Sequence, residues 1–348
     1  MSNRGVRARL ISRDIRRDIR LVCLCLGAFL LTIVVVQLLS MTVMAVIVLL
    51  SDPEILPEMG VAQDTMNLNI SPYLDAQAFP EMEAFEDRLL DLFKNYSGLL
   101  SILGMVCGLP WFFLLRGKRF VTSDVTRRNA SPKAATLAVL FILILAAQGL
   151  MILLLAALEP LLNQGGGSLV DTLEEATSAL TQDPWGLLYV MVLGPVCEEL
   201  VFRGAIMRRL EKHGANFAIV ISALLFGLYH MLLFQVVFAF FVGLILAYTA
   251  GRFSLKWAML LHIANNSLAV LTESLNSQVA EVFFTALFLC ALIAAPFILF
   301  TQRKLLAAQR QAGAPLFTKT YAYAFSSPWI WILMVILTGS GVAMLGVF

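Results

Sequence analysis

Leu193-Gly194-Pro195-Val196-Cys197-Glu198-Glu199-Leu200-Val201-Phe202-Arg203 sets two adjacent carboxylates and a guanidinium into a run otherwise apolar enough to span a bilayer. Ionisable groups at membrane depth cost roughly 2.5–3.5 kcal/mol each on insertion scales, so they face a protein interior and serve a purpose there. On a helix, Glu199 and Arg203 are four residues apart and share a face suited to ion pairing. Glu198 sits about 100° further round the axis, free to face something else. Pro195 removes a backbone donor and crowds the preceding turn, which predicts a bend beside the acidic pair. A broken helix at membrane depth is tolerated only where protein or a wet cavity covers it. The stretch reads as the floor of a buried polar site.

The rest of the chain provides the membrane setting. Of 348 residues, 59% are hydrophobic and 14% charged, with a mean hydropathy of +0.84. Soluble domains run nearer about 45–50% apolar and about 25% charged, so the expected fold is all-α, a polytopic transmembrane helix bundle. The net charge of +2 matters less than where Lys and Arg fall. The five cysteines (Cys23, Cys25, Cys107, Cys197, Cys290) lie in apolar runs without metal-type spacing and read as small buried hydrophobes. Residues 1–20 form a basic tail with seven arginines, Arg4 to Arg20. The apolar run from Leu21 to Leu50 has no convincing cleavage site, so it reads as a retained anchor. A positive-inside flank explains the arginines at less expense than a nucleic-acid arm, and no nucleic-acid partner is expected.

Apolar runs predict about eight to nine spans, near 21–48, 98–115, 135–158, 186–207, 215–231, 233–250, 257–273, 280–301 and 328–347. Arg116 to Lys133, Arg208 to Lys212, Arg252 with Lys256, and Arg303 to Lys319 fill alternate connections. The remaining long connections are acidic (51–95) or lack Lys and Arg (159–184), which puts the N-terminus in the cytoplasm. Within 51–95, Phe79, Met82, Phe85, Leu89, Leu92 and Phe93 recur at helical spacing, as an interfacial amphipathic helix or a substrate rim would require. The expected division is a tail over 1–20, an N-terminal membrane region over 21–184, a core over 185–273 and a C-terminal membrane region over 274–348. No internal repeat supports a two-half transporter.

Three further polar groups share the apolar region. His230 ends the fifth span, with Phe226 one turn before it, and His262 and Asn266 share a face of the seventh. Asn265 should point elsewhere, and His213, between Lys212 and Gly214, reads as an ordinary solvated residue. Each piece alone could be helix–helix glue. Together, two carboxylates, two histidines, an asparagine and an arginine supply what amide hydrolysis needs: a base for water, an imidazole to hold it and donors for an oxyanion.

Glu198-Glu199-x-x-x-Arg203, Phe226-x-x-x-His230 and His262-x-x-x-Asn266 occur in that order. The set resembles the CPBP family of intramembrane proteases, which includes CAAX prenyl endopeptidases and bacteriocin-processing or self-immunity proteins. The resemblance covers about 186–270. It implies a membrane endopeptidase in which Glu198 is the general base, His230 positions the water, His262 and Asn266 line the oxyanion hole, and Glu199 with Arg203 holds the site or the substrate backbone. It also implies a metal-independent glutamate protease; the alternative is a Zn²⁺ held by two histidines and a glutamate, although His-Glu-x-x-His is absent. Competing readings are a non-catalytic membrane scaffold or immunity protein and an ion-coupled transporter. Expected partners are membrane lipid, a peptide or membrane-protein substrate and a further membrane protein. The expected location is a bacterial cytoplasmic membrane, as an integral multi-pass protein.

Overall fold

The computed structural model describes residues 3–51, 80–162, 181, 183–275, 277–315 and 318–344. Positions 52–79 of the acidic 51–95 connection and 163–180 of the 159–184 connection lie outside them. Among the described residues there are twelve helices and no strand, and the chain is an all-α, polytopic membrane bundle. The helices are α1 (Asn3–Ser51), α2 (Pro80–Gly108), α3 (Pro110–Arg116), α4 (Ala134–Leu162), α5 (Pro184–His213) and α6 (Ala215–Tyr229). They continue as α7 (Leu233–Arg252), α8 (Leu255–Ser274), α9 (Gln278–Thr301), α10 (Arg303–Ala312), α11 (Thr320–Phe325) and α12 (Pro328–Met344).

Each of the nine expected spans finds a helix. Six are long and apolar enough to cross a membrane on those grounds alone: α1, α2 with α3, α4, α5, α7 and α9. The other three fall short for physical reasons. α6 has only 15 residues, about 22 Å at 1.5 Å per residue. α12 is described over 17 residues, and α8 carries His262, Asn265, Asn266 and Ser267 because it faces the polar centre. The amphipathic stretch expected near 79–93 is not a separate interfacial helix. It is the first part of α2, continuous with the second span, and its Phe85, Leu89, Leu92 and Phe93 are half-buried.

α5 is the central element. α6, α7, α8, α2 and α3 pack around it, α4 and α9 pair outside α7, and α1 with α11 and α12 covers the far side. A carboxylate pins its first turn. Asp183 caps α5 by accepting from Trp185 N (2.7 Å) and Gly186 N (2.9 Å), while its other oxygen takes Gly98 N (3.3 Å) and the Ser97 hydroxyl (3.4 Å) on α2. Here α2 and α5 approach so closely that a Cβ on Gly98 would collide with the backbone of Gly186.

The basic connections gather at the opposite end of α5. Arg209 reaches Asp18 (2.8 Å) and the Leu115 carbonyl (3.2 Å), Lys212 reaches Asp14 (2.9 Å) and Asp18 (2.8 Å), and Arg127 pairs with Glu211 (2.8 Å). Arg208 donates to the Ala250 carbonyl (3.1 Å), and Asn216 to that of Arg310 (2.7 Å). His213 is a correction to the sequence reading. It is buried, with Nε2 2.9 Å from Asp18, because α1 lays a carboxylate over the end of α5. The cysteines also differ in part: Cys23 is buried, Cys25 and Cys197 are half-buried, and Cys107 and Cys290 are exposed on apolar helix surface.

Candidate active site

α5 is not a regular helix. Tyr189–Leu193 and Leu200–Met207 are π-helical, on either side of an α-helical segment Gly194–Glu199. Such widened turns recur at functional sites because they re-aim side chains and free backbone groups. The sequence predicts one bend at Pro195; the structure distributes the distortion over two π turns that flank the acidic pair. Each needs outside help. Gly194 N–H is drawn back five residues to the Tyr189 carbonyl, and Pro195 has no N–H, so neither neighbour serves the Val190 carbonyl. Asn266 on α8 fills the vacancy, its Nδ2 donating to Val190 O at 3.0 Å. In the second π turn, the Ser222 hydroxyl of α6 donates to Phe202 O at 2.8 Å.

On this frame Glu199 and Arg203 share a face as expected. Arg203 Nη1 donates to Glu199 Oε1 at 2.7 Å with both side chains fully buried, and Arg203 Nη2 reaches the Gly243 carbonyl of α7 at 3.2 Å. The guanidinium lies over the Phe226 ring, 4.2 Å from its centroid, where the ring quadrupole favours a cation. The same Glu199 oxygen accepts from His262 Nδ1 at 3.1 Å. His262 Nε2 is thereby turned toward Glu198 Oε2, at 3.7 Å, too long for a direct hydrogen bond. Glu198 is the partly accessible carboxylate, its side chain 14% exposed against none for Glu199. The two neighbours in sequence have separate roles: one fixes a histidine, the other faces it across a gap.

His230 ends α6, and its Nδ1 donates to the Phe226 carbonyl at 2.9 Å, one of the carbonyls a helix C-terminus leaves open. That bond assigns the proton to Nδ1 and leaves Nε2 as an acceptor. The next residue, Met231, has φ 61°, a left-handed conformation that costs a non-glycine residue energy and reverses the chain directly after His230. Phe226 meets His230 edge-on at 4.8 Å and His262 at 5.6 Å. With Arg203 above it, this one ring joins all three motif segments.

Asn266 joins the network with one amide hydrogen committed to Val190. Asn265 points off the His262 face, as expected, and still enters the network. It is buried and donates to Asn266 Oδ1 (3.2 Å), while Gln148 of α4 donates to Asn265 Oδ1 (3.4 Å). Sequence reasoning missed Gln148 and the Val190 carbonyl; a glutamine inside the apolar 134–157 run is the one signal that points to the former. Asn266→Leu is expected to cost about 1–2 kcal/mol by leaving a backbone acceptor unpaired. Adding Pro195→Ala restores an N–H beside Val190 and should recover part of that loss. Detergent-phase unfolding of the two single variants and the double variant checks this, and strictly additive losses would sink the clamp.

A zinc centre would ask Glu198, His230 and His262 to converge. No choice of one ligand atom from each brings all three within 4.8 Å of one another. His262 Nδ1 is already engaged by Glu199. Among the described residues the triad that does converge is Asp14, Asp18 and His213, whose carboxylates already hold Lys212 and Arg209. The residues of the polar centre do not fit a zinc ion in this arrangement.

A family model described as type II CAAX prenyl endopeptidase Rce1-like matches residues 180–268, about a quarter of the chain. No curated protein and no solved structure matches. The matched segment runs from the start of α5 into α8 and contains Glu198, Glu199, Arg203, His230, His262 and Asn266. The match over residues 180–268 supports placing this membrane core in the CPBP/CAAX protease family.

Proposed function

We propose that this protein is an intramembrane endopeptidase that hydrolyses a peptide bond of a membrane-associated substrate, in the manner of a CAAX protease and without a catalytic metal, in a bacterial cytoplasmic membrane. The observation that carries this reading is the gap between Glu198 and His262, with His262 held from behind by the buried Glu199–Arg203 pair. Glu198 takes a proton from a water in that gap. His230 Nε2 accepts the water's other hydrogen and turns an oxygen lone pair toward the substrate carbonyl. The water oxygen bonds to the carbonyl carbon, and the oxyanion is met by His262 Nε2–H, the ring carrying a second proton on Nδ1 toward Glu199, with the uncommitted amide hydrogen of Asn266 as second donor. The C–N bond then breaks as Glu198 returns its proton to the leaving amine, so atoms and charge balance.

Cleavage of a quenched peptide panel, with prenylated and unprenylated members, by the purified full chain in detergent tests the reading. Turnover of at least one member is expected, unchanged within about twofold by a strong chelator. Chelator-sensitive turnover that zinc restores would replace the metal-free mechanism. The prenylated members report whether a CAAX-type tail is the substrate.

A further inference from the structure

The first turns of α1 stand outside the membrane. Its 49 residues measure about 73 Å at 1.5 Å each, against a hydrocarbon core of about 30 Å, and the unbroken apolar run begins only at Leu21. Ahead of it, Arg13, Arg16, Arg17 and Arg20 are spaced three and four residues apart, so they form one exposed stripe. The turn Ser326–Ser327 and the start of α12 face this stripe, and the two elements line an open cavity of about 590 Å³. Its wall holds four guanidiniums and one carboxylate, Asp14.

Asp14 is already engaged by Arg17 (2.6 Å) and Lys212 (2.9 Å). Arg16 Nε donates to the Ser326 hydroxyl at 3.0 Å, a neutral partner. Arg13, Arg16 and Arg20 have no carboxylate partner among the described residues. Three cations crowded on one cavity wall repel one another unless an anion sits among them, and the planar fork of arginine suits phosphate oxygens. The rim is apolar. Leu10 is exposed on one side, Trp329 is half-buried on the other, and α1 and α12 both lead away as spans with exposed apolar side chains such as Leu24, Leu31, Ile332 and Val335. A tryptophan at the start of an apolar span marks the headgroup level. A cationic wall at that depth, opening onto apolar helix surface, matches a phosphodiester with acyl chains attached rather than a free solute.

We propose that the cavity between α1 and α12 binds the phosphate headgroup of an anionic phospholipid. None of the lining residues falls within residues 180–268, which hold the candidate active site. The test is native mass spectrometry of the full chain released from nanodiscs containing phosphatidylglycerol and phosphatidylcholine. The variants are Arg13→Gln/Arg16→Gln/Arg20→Gln and, on α10, the charge-matched Arg303→Gln/Lys304→Gln/Arg310→Gln. Arg13→Gln/Arg20→Gln, which breaks no described bond, backs up the first triple against misfolding. The parent should retain phosphatidylglycerol in preference to phosphatidylcholine. The α1 triple should lose that retention by roughly ten- to hundredfold, the α1 double by a smaller factor, and the α10 triple should stay within about twofold. Equal losses in the α1 and α10 triples would reduce the effect to diffuse surface charge and overturn the site. Retention unaffected in the α1 variants would overturn it as well. Displacement of the lipid by millimolar inorganic phosphate would reassign the cavity to a free anion and overturn the lipid.

Discussion

Glu198→Gln is expected to fold as the parent does and to lose about 10²–10⁴-fold in turnover, the contribution of a positioned general base. Glutamine keeps the size and most of the hydrogen-bonding capacity of glutamate but cannot take a proton from water. Glu198 lies 3.7 Å from His262 and forms no closer ion pair among the described residues, so its charge holds no neighbour in place. A thermal midpoint close to the parent's, beside the loss of cleavage, would therefore place Glu198 in the chemistry. Equal turnover by the two proteins would remove it from the role of base. The neighbouring Glu199→Gln should behave differently, losing stability together with activity, because that carboxylate holds both Arg203 and His262.

Arg203→Met carries the largest expected effect on stability, about 3–5 kcal/mol, since it strands the Glu199 carboxylate in a fully buried position. The loss includes more than the ion pair. Arg203 also donates to the Gly243 carbonyl of α7 and lies against Phe226 of α6, so one side chain ties three helices at the polar centre. The double variant Glu199→Gln/Arg203→Met removes both charges at once and should be less destabilised than Arg203→Met alone. Equilibrium unfolding of the set in detergent measures this. A double variant that loses the full sum of the two single losses would mean that the pair is not coupled as drawn. Activity is expected to stay absent in the double variant, because His262 Nδ1 has lost the carboxylate that orients it.

Parts of this centre are legible in the residues alone. Helical period places Glu199 and Arg203 on one face and Glu198 off it, and the structure shows that geometry at 2.7 Å. The same period pairs His262 with Asn266 on α8. Other parts are not legible, for identifiable reasons. A π turn changes the backbone hydrogen-bond register without a residue signature of its own, so Pro195 announces a disturbance but not its extent over Tyr189–Leu193 and Leu200–Met207. His213 looks solvated because its neighbours are Lys212 and Gly214, yet its partner Asp18 is 195 residues away in the chain. Asn265 points off the His262 face, as the period requires, and still enters the network through Asn266 and Gln148.

Composition, period and charge order, all properties of the linear chain, determine the membrane class, the helices, the basic and acidic connections and the register of each motif. They do so because a bilayer demands apolar length and satisfied backbone on every span, whatever the spans pack against. Only the tertiary structure decides which polar atoms remain free for chemistry. His230 Nδ1 is committed to a carbonyl, His262 Nδ1 to Glu199, and one Asn266 hydrogen to Val190. Those commitments set the tautomer of His230 and the direction in which His262 Nε2 faces. Most of them join groups on different helices, and which helix packs against which is settled by the whole core at once rather than by local spacing.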